Sequence, residues 1–228
     1  MSFSFTGDKI LESLLAIVLW IFSYLLGSIS AAILVCRIFG FPDPRSTGSH
    51  NPGATNVLRV GNKFAAALTL IGDVAKGVAP IIIARELGLP ESIAALCGFC
   101  AFLGHLYPVY FDFRGGKGVA TAFGVLATLH WPSMLVIGGL WLLVFASTRI
   151  SSLASIASFF LAPLIVLLFK AELFHPILVL SLMLLFRHRH NIAQLVKGEE
   201  QSFRKTSQTD QAPSPAAQTE ANEPGPAP

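Results

Sequence analysis

Charge is scarce in this chain. Asp, Glu, Lys and Arg make up 13% of its 228 residues, whereas hydrophobic residues make up 53% and the mean hydropathy is +0.64. That balance excludes an ordinary water-soluble domain, in which about a quarter of residues are charged. Cysteine is scarce too. Cys97 and Cys100 form a C-x-x-C between Leu96 and Phe102, with only His105 nearby as a further ligand, which argues against a metal site; Cys36 reads as packing. The nucleotide P-loop pattern G-x-x-x-x-G-K-[ST] is missing, because Phe111 stands at its first glycine position and Gly118 at its Ser/Thr position. No basic stripe is interleaved with stacking aromatics, so no nucleic acid is expected as a partner. Internal repeats are not evident.

What the chain has instead is long apolar runs. Seven approach the roughly 20 residues a helix needs to cross a hydrocarbon core about 30 Å thick; they cover residues 10–36, 63–86, 92–110, 117–130, 133–148, 152–169 and 173–187. The fold class expected is an all-α membrane protein, a bundle of seven transmembrane helices. His130-Trp131-Pro132 reads either as a turn between spans four and five or as a kink in one helix. Parity favours the turn. With seven crossings and the N-terminus outside, twelve of sixteen cations lie inside (Arg37, Arg45, Arg59, Lys63, Arg114, Lys117, Arg149, Arg187, Arg189, Lys197, Arg204 and Lys205) and three outside (Lys9, Arg85 and Lys170). Lys76 is embedded in span two. The outer ends carry Asp8, Glu12, Glu86, Glu91 and Glu172, and their short connections leave no room for an outer domain.

The first span lacks the basic n-region of a signal peptide and is too long for one, so its retention is expected. Residues 1–200 read as one transmembrane domain, and residues 201–228, which hold five prolines and almost no apolar residues, as a disordered cytoplasmic tail. The net charge of +3 gathers on the inner face, where anionic headgroups and metabolites would meet it.

Three polar blocks interrupt the apolar runs, and each combines glycines with cations: residues 43–56 (DPRSTGSHNPGATN), 104–121 (GHLYPVYFDFRGGKGVAT) and 187–200 (RHRHNIAQLVKGEE). Glycine lets backbone N–H groups approach a ligand, and Arg, Lys and His supply positive charge, which together suit phosphate. In the first block Arg45 can offer a fork of donors, Ser49 a hydroxyl, and Asn51 and Asn56 carboxamides; the plain alternative is an ordinary inner loop with turn-forming residues. In the second, Gly115, Gly116, Lys117 and Gly118 precede span four, so helix N-terminal amides and a lysine could hold an anion, or form a tight turn with a snorkelling lysine. In the third, His188 and Asn191 stand three apart, the imidazole placed to act as base or donor and the amide to orient it. Arg187 and Arg189 can simply anchor the helix end. His130 and His175 fall at outer ends, where an interfacial histidine needs no function.

Asp73 and Lys76 share a helical face inside a span, where each isolated charge costs about 2.5 to 3.5 kcal/mol. They should pair, either bracing helix packing or touching ligand. A rival reading, a transporter for an anionic solute, would spread polar groups across the bilayer and show inverted repeats. A scaffold without chemistry would leave the donor-rich loops unexplained.

At these residues the chain resembles the bacterial acyl-phosphate:glycerol-3-phosphate acyltransferase family over about residues 20–200. The family's first motif resembles Asp43, Arg45, Gly48, Ser49, Asn51 and Gly53 to Asn56; its second, Gly104-His105, Pro108 and Gly115 to Thr121; its third, Arg187 to Asn191 with Gly198 and Glu200. The resemblance implies a seven-helix enzyme of the bacterial inner membrane that moves a fatty acyl group from acyl phosphate to the 1-hydroxyl of sn-glycerol 3-phosphate. Lysophosphatidate and inorganic phosphate would be the products, with no metal or cofactor. On that resemblance the catalytic candidates are His188, Asn191, Ser49, Arg45 and Lys117. Phosphate and substrate binding falls to Gly115, Gly116, Gly118, Thr121, Asn51, Asn56, Gly53 and His105, with Arg149 and Ser151 further out. Asp73, Lys76 and Glu200 would give structural support. Whether His188 or a substrate phosphate accepts the proton stays open. Membrane lipids surround the chain, a monomer is expected, and a transient contact with the enzyme that makes acyl phosphate is a further expectation. Departures from the family pattern are Ser30 for a usual proline, His50 for a usual glycine and Gln194 for a usual arginine.

Overall fold

The computed structural model describes residues 3–200 and Ser202, so the expected disordered tail lies, apart from Ser202, outside the described residues. Among the described residues the regular structure is entirely helical. In chain order the helices are α1 (Phe3–Gly27), α2 (Ala31–Ile38), α3 (Ala54–Val60), α4 (Lys63–Glu86), α5 (Glu91–Leu106), α6 (Val119–Leu129), α7 (Trp131–Thr148), α8 (Ser151–Phe169), α9 (Phe174–Arg187) and α10 (Arg189–Lys197). By length and composition α1, α4, α5, α7 and α8 can cross a membrane, and α9 with α10 makes a sixth span if their 57° bend is counted as one crossing. This is an integral membrane fold. Large apolar side chains such as Leu143, Phe160 and Leu168 face outward, as lipid requires, around a core that includes Phe102, Leu126 and Phe159.

All seven expected runs are helical, with two differences. The fourth, α6, has 11 residues, about 16 Å at 1.5 Å per residue, roughly half the hydrocarbon thickness. The chain then breaks at His130, whose extended backbone ends α6 and whose Nδ1 accepts the Ser133 N–H at the start of α7. Pro132 sits in that first turn, where no N–H is needed.

The first run, expected to be continuous from 10 to 36, divides at Ser28-Ile29-Ser30 into α1 and α2. Ser30 caps α2 by accepting the Ile33 N–H. The Ile29 carbonyl freed by the break accepts a hydrogen bond from the Lys76 ammonium at 2.9 Å. An embedded cation thus satisfies an unwound carbonyl inside the bundle.

Small residues bring the helices close. A Cβ on Gly27 would strike the Ala101 backbone and one on Gly104 the Tyr24 carbonyl, joining α1 to α5; Gly77 against Thr121 and Gly124 against Val74 do the same for α4 and α6. At the end away from the polar blocks, Arg85 pairs with Glu91 and donates to the Thr128 carbonyl, tying α4, α5 and α6 together.

Candidate active site

The three polar blocks meet. The first lies between α2 and α4, the second between α5 and α6, and the third at the bend between α9 and α10. Ser49, Asn51 and Gly53 from the first, Lys117 and Gly118 from the second, and His188, Asn191 and Glu200 from the third all line one cavity of about 870 Å³. Its polar head continues into an apolar chamber walled by Ala67 and Leu70 of α4, Phe123 of α6, and Leu135, Trp141 and Phe145 of α7.

His188 is 1% exposed. Its Nδ1 lies 2.9 Å from the Leu184 carbonyl, an acceptor, so Nδ1 carries the proton and Nε2 is left with a lone pair. Burial, reinforced by the positive charge of Lys117, pushes its pKa down to about 4, so the ring is neutral at pH 7. Lys117 makes no hydrogen bond or ion pair among the described residues. Burial pushes its pKa down to about 8, Arg59 and Arg187 push the same way, and Glu200 opposes them.

Glu200 is a brace. One of its carboxylate oxygens accepts from both the Asn191 amide at 2.8 Å and the Ser152 hydroxyl, so the Asn191 amide is turned to Glu200 and His188 is oriented by the Leu184 carbonyl and not by Asn191. Its other oxygen is buried without a hydrogen-bond partner among the described residues. Ser151 lines the cavity beside Ser152, whereas Arg149, exposed at the end of α7, does not.

The second block is clamped from two sides. Arg187 donates to the Gly115 carbonyl at 2.7 Å and the Gly116 carbonyl at 3.1 Å, while the Gly116 N–H donates to the His105 carbonyl. These two glycines are therefore held by protein groups and do not line the main cavity. Gly118, at φ +84° with Phe102 and Leu106 where a Cβ would stand, permits the turn that starts α6. Thr121 is fully buried between α4 and α6 and is likewise absent from the cavity wall.

In the first block Asn56, 0% exposed, spends its amide on the Pro44 and Thr47 carbonyls and its oxygen on the Ser49 N–H. It shapes the loop and has nothing left for a ligand. Arg45 is turned onto Asp43, with Nη2 to Oδ2 at 2.8 Å, and its guanidinium lies over the Phe111 ring. Hydrogen bonds from Arg45 hold the Asp43 carboxyl below its usual range. Arg45 is not among the residues lining the cavity.

Asp73 and Lys76 form the expected buried pair at 2.9 Å, with His105 Nδ1 3.5 Å from the same Asp73 oxygen. Asp73 and His105 reach the cavity wall, while Lys76 points to Ile29. Cys97 and Cys100 pack in α5, and among the described residues no three His, Cys, Asp or Glu side chains are gathered as a metal site would need.

Several lining residues escaped the motif reading. Arg59, on α3 one turn after Asn56, enters the cavity, where burial pushes its pKa down against the pull of Glu200; its i+3 spacing from Asn56 was the available signal. Ser152 and Ser155 also line the wall, the latter accepting from the Trp141 indole at 2.9 Å. Nothing in their apolar surroundings marks them in sequence.

Comparisons with known proteins agree in direction. A family model described as glycerol-3-phosphate acyltransferase matches residues 17–198. Proteins named glycerol-3-phosphate acyltransferase are similar to the chain: one from Methylococcus capsulatus is 52% identical over 181 residues, covering 78% of this chain and 91% of that protein. Another, from Proteus mirabilis, is 49% identical over 195 residues, covering 83% and 89%. Among solved structures, the chain is similar to PlsY (YgiH), an integral membrane glycerol 3-phosphate acyltransferase. Its glycerol 3-phosphate form has a TM-score of 0.78 and 38% identity, covering 83% of this chain and 96% of that one. The lysophosphatidic acid form gives 0.77 and 37%, covering 83% and 95%.

Proposed function

This chain belongs to the glycerol-3-phosphate acyltransferase family and is an integral-membrane acyltransferase, and we propose that it moves a fatty acyl group from acyl phosphate to the 1-hydroxyl of sn-glycerol 3-phosphate. The observation that carries this reading is the single cavity with a cationic, hydroxyl-bearing head and an apolar chamber behind it. An acyl phosphate has that shape and polarity, and glycerol 3-phosphate matches the head alone.

Lys117 and Arg59 neutralise the paired phosphates, and Ser49, Asn51 and Asn191 orient them. The glycerol hydroxyl donates to His188 Nε2, which aligns it on the acyl carbon. The hydroxyl oxygen bonds to that carbon, the bond from carbon to phosphate oxygen breaks, and the hydroxyl proton leaves on the phosphate. Burial and the charge of Lys117 keep the His188 ring neutral in the free enzyme, so Nε2 can accept from the hydroxyl, and the released phosphate carries the proton away. The products are lysophosphatidate and inorganic phosphate, and the reaction is an early step of phospholipid synthesis. Neither a metal nor an organic cofactor has a step to perform.

Arg45, paired with Asp43 and lying over the Phe111 ring, braces the loop of the first block, and Gly53 opens the turn into α3. Residues 1–200 form the enzyme domain. The topology we favour has seven crossings with α6 as a short one, the N-terminus outside and the head on the cytoplasmic face of the bacterial inner membrane, supported by the one-sided distribution of cations. The chain acts as a monomer in lipid and meets its donor's producer transiently.

The test is donor choice. Purified protein in lipid, with labelled glycerol 3-phosphate, should form lysophosphatidate and phosphate in equal amounts from palmitoyl phosphate and none from palmitoyl-CoA. Turnover with the thioester alone would overturn the donor assignment.

A further inference from the structure

Glycine inside a helix is less favourable than alanine, so it persists where something requires it. Between membrane helices the usual requirement is close contact. Gly77, Gly98 and Gly124 obey that rule, because a Cβ there would strike Thr121, Ile81 or Val74. Gly138 and Gly139, in the middle of α7, do not. A Cβ on Gly139 would have nothing within 4 Å, and one on Gly138 would meet only Phe123 at 3.8 Å and Met134 at 3.9 Å, ordinary contacts. Neither residue has a positive φ.

Both glycines instead adjoin the apolar chamber. Along α7 the chamber wall runs from Phe145, beside the polar head, to Met134, eleven residues or about 16 Å of helix. Gly139 lies six residues, about 9 Å, from the Phe145 end. At the chamber's head stands His188, 1% exposed and, among the described residues, hydrogen-bonded through Nδ1 alone, which leaves Nε2 for a ligand.

We infer that Gly138 and Gly139 are specificity-determining positions for acyl chain length: by presenting no side chain, they leave room for the far methylenes of a long donor. A side chain at either position occupies that room. Short acyl chains end before it, whereas long ones must bend or leave part of their apolar surface unburied. This inference rests on the acyl-phosphate reading above.

The experiment compares octanoyl, lauroyl and palmitoyl phosphate as donors for the full chain in lipid nanodiscs, as wild type, Gly139→Ala, Gly139→Leu and Gly138→Leu. The expected result in Gly139→Leu and Gly138→Leu is a fall of about tenfold or more in the palmitoyl-to-octanoyl ratio of kcat/KM, with the KM for glycerol 3-phosphate within about twofold of wild type. Gly139→Ala should move the ratio the same way by about twofold. An unchanged ratio, or equal loss at every chain length, overturns the inference. Should the leucine variants fail to fold, the ratio in Gly139→Ala decides. A wild type inactive with all three donors overturns the acyl-phosphate reading and this inference with it, an outcome distinct from an active wild type with unshifted variants.

Discussion

Arg187 Nη2 donates to the Gly115 carbonyl at 2.7 Å, across 72 residues of chain. With the second bond to Gly116, this contact locks the third polar block onto the second, so that Lys117 is presented to the cavity by a loop whose peptide planes cannot turn. The same guanidinium lies over the Tyr107 ring. A motif that reads as a helix-end anchor is thus a tie between two parts of the site.

Arg187→Lys keeps the charge but loses the two-pronged donor geometry. Turnover should fall about tenfold or more, from loss of charge-assisted bonds worth about 1.5–3 kcal/mol each, and Arg187→Ala should fall further. Steady-state rates check this; a fully active Arg187→Ala would mean that the loop needs no clamp.

Lys117 has its pKa lowered to about 8, so the free enzyme loses this positive charge as pH rises through that value. The kcat/KM for glycerol 3-phosphate should decline above about pH 8, and Lys117→Arg, which stays charged, should abolish or displace that alkaline limb. An identical limb in both proteins would assign it to another group.

His188, with a pKa lowered to about 4 from 6.5, favours the neutral ring in the fold. Between those values the unfolded chain binds more protons, so the contribution to stability is complete above about pH 6.5 and is lost as pH falls towards 4. Thermal unfolding should show wild type losing more stability over that interval than His188→Gln. His188→Ala should lower kcat more than it raises the KM for glycerol 3-phosphate.

Glu200 accepts from Asn191 and Ser152 with one oxygen. Glu200→Ala leaves both donors unpaired and should cost about 1–3 kcal/mol of stability, read as a lower unfolding temperature, with Glu200→Gln milder because an amide oxygen still accepts. Asn191→Asp places two acceptors face to face and should reduce turnover more than Ser152→Ala does.

Much of the architecture was legible from apolar run lengths, because a bilayer demands long apolar helices, and the three glycine-and-cation blocks are segments that meet at one cavity. The break at Ser28-Ile29-Ser30 was not legible, since its carbonyl is satisfied by Lys76 from another helix. The motifs also could not reveal which donors would be consumed internally. Asn56 serves Pro44 and Thr47, and the Gly116 N–H serves His105, contacts that exist only once the chain has folded. In sequence Arg59 reads as one inner cation among twelve, because only the path of α3 turns it inward. His50 adopts φ +56° and sets its Nδ1 3.2 Å from the Arg45 carbonyl, so the left-handed turn forms without glycine.

The most direct test of the shared phosphate pocket is calorimetric titration of sn-glycerol 3-phosphate into the protein in lipid nanodiscs, with one substitution from each block: Ser49→Ala, Lys117→Ala and Asn191→Ala. Each should weaken binding, Lys117→Ala by about tenfold or more. Wild-type affinity in all three folded variants would contradict a pocket built jointly by the three blocks.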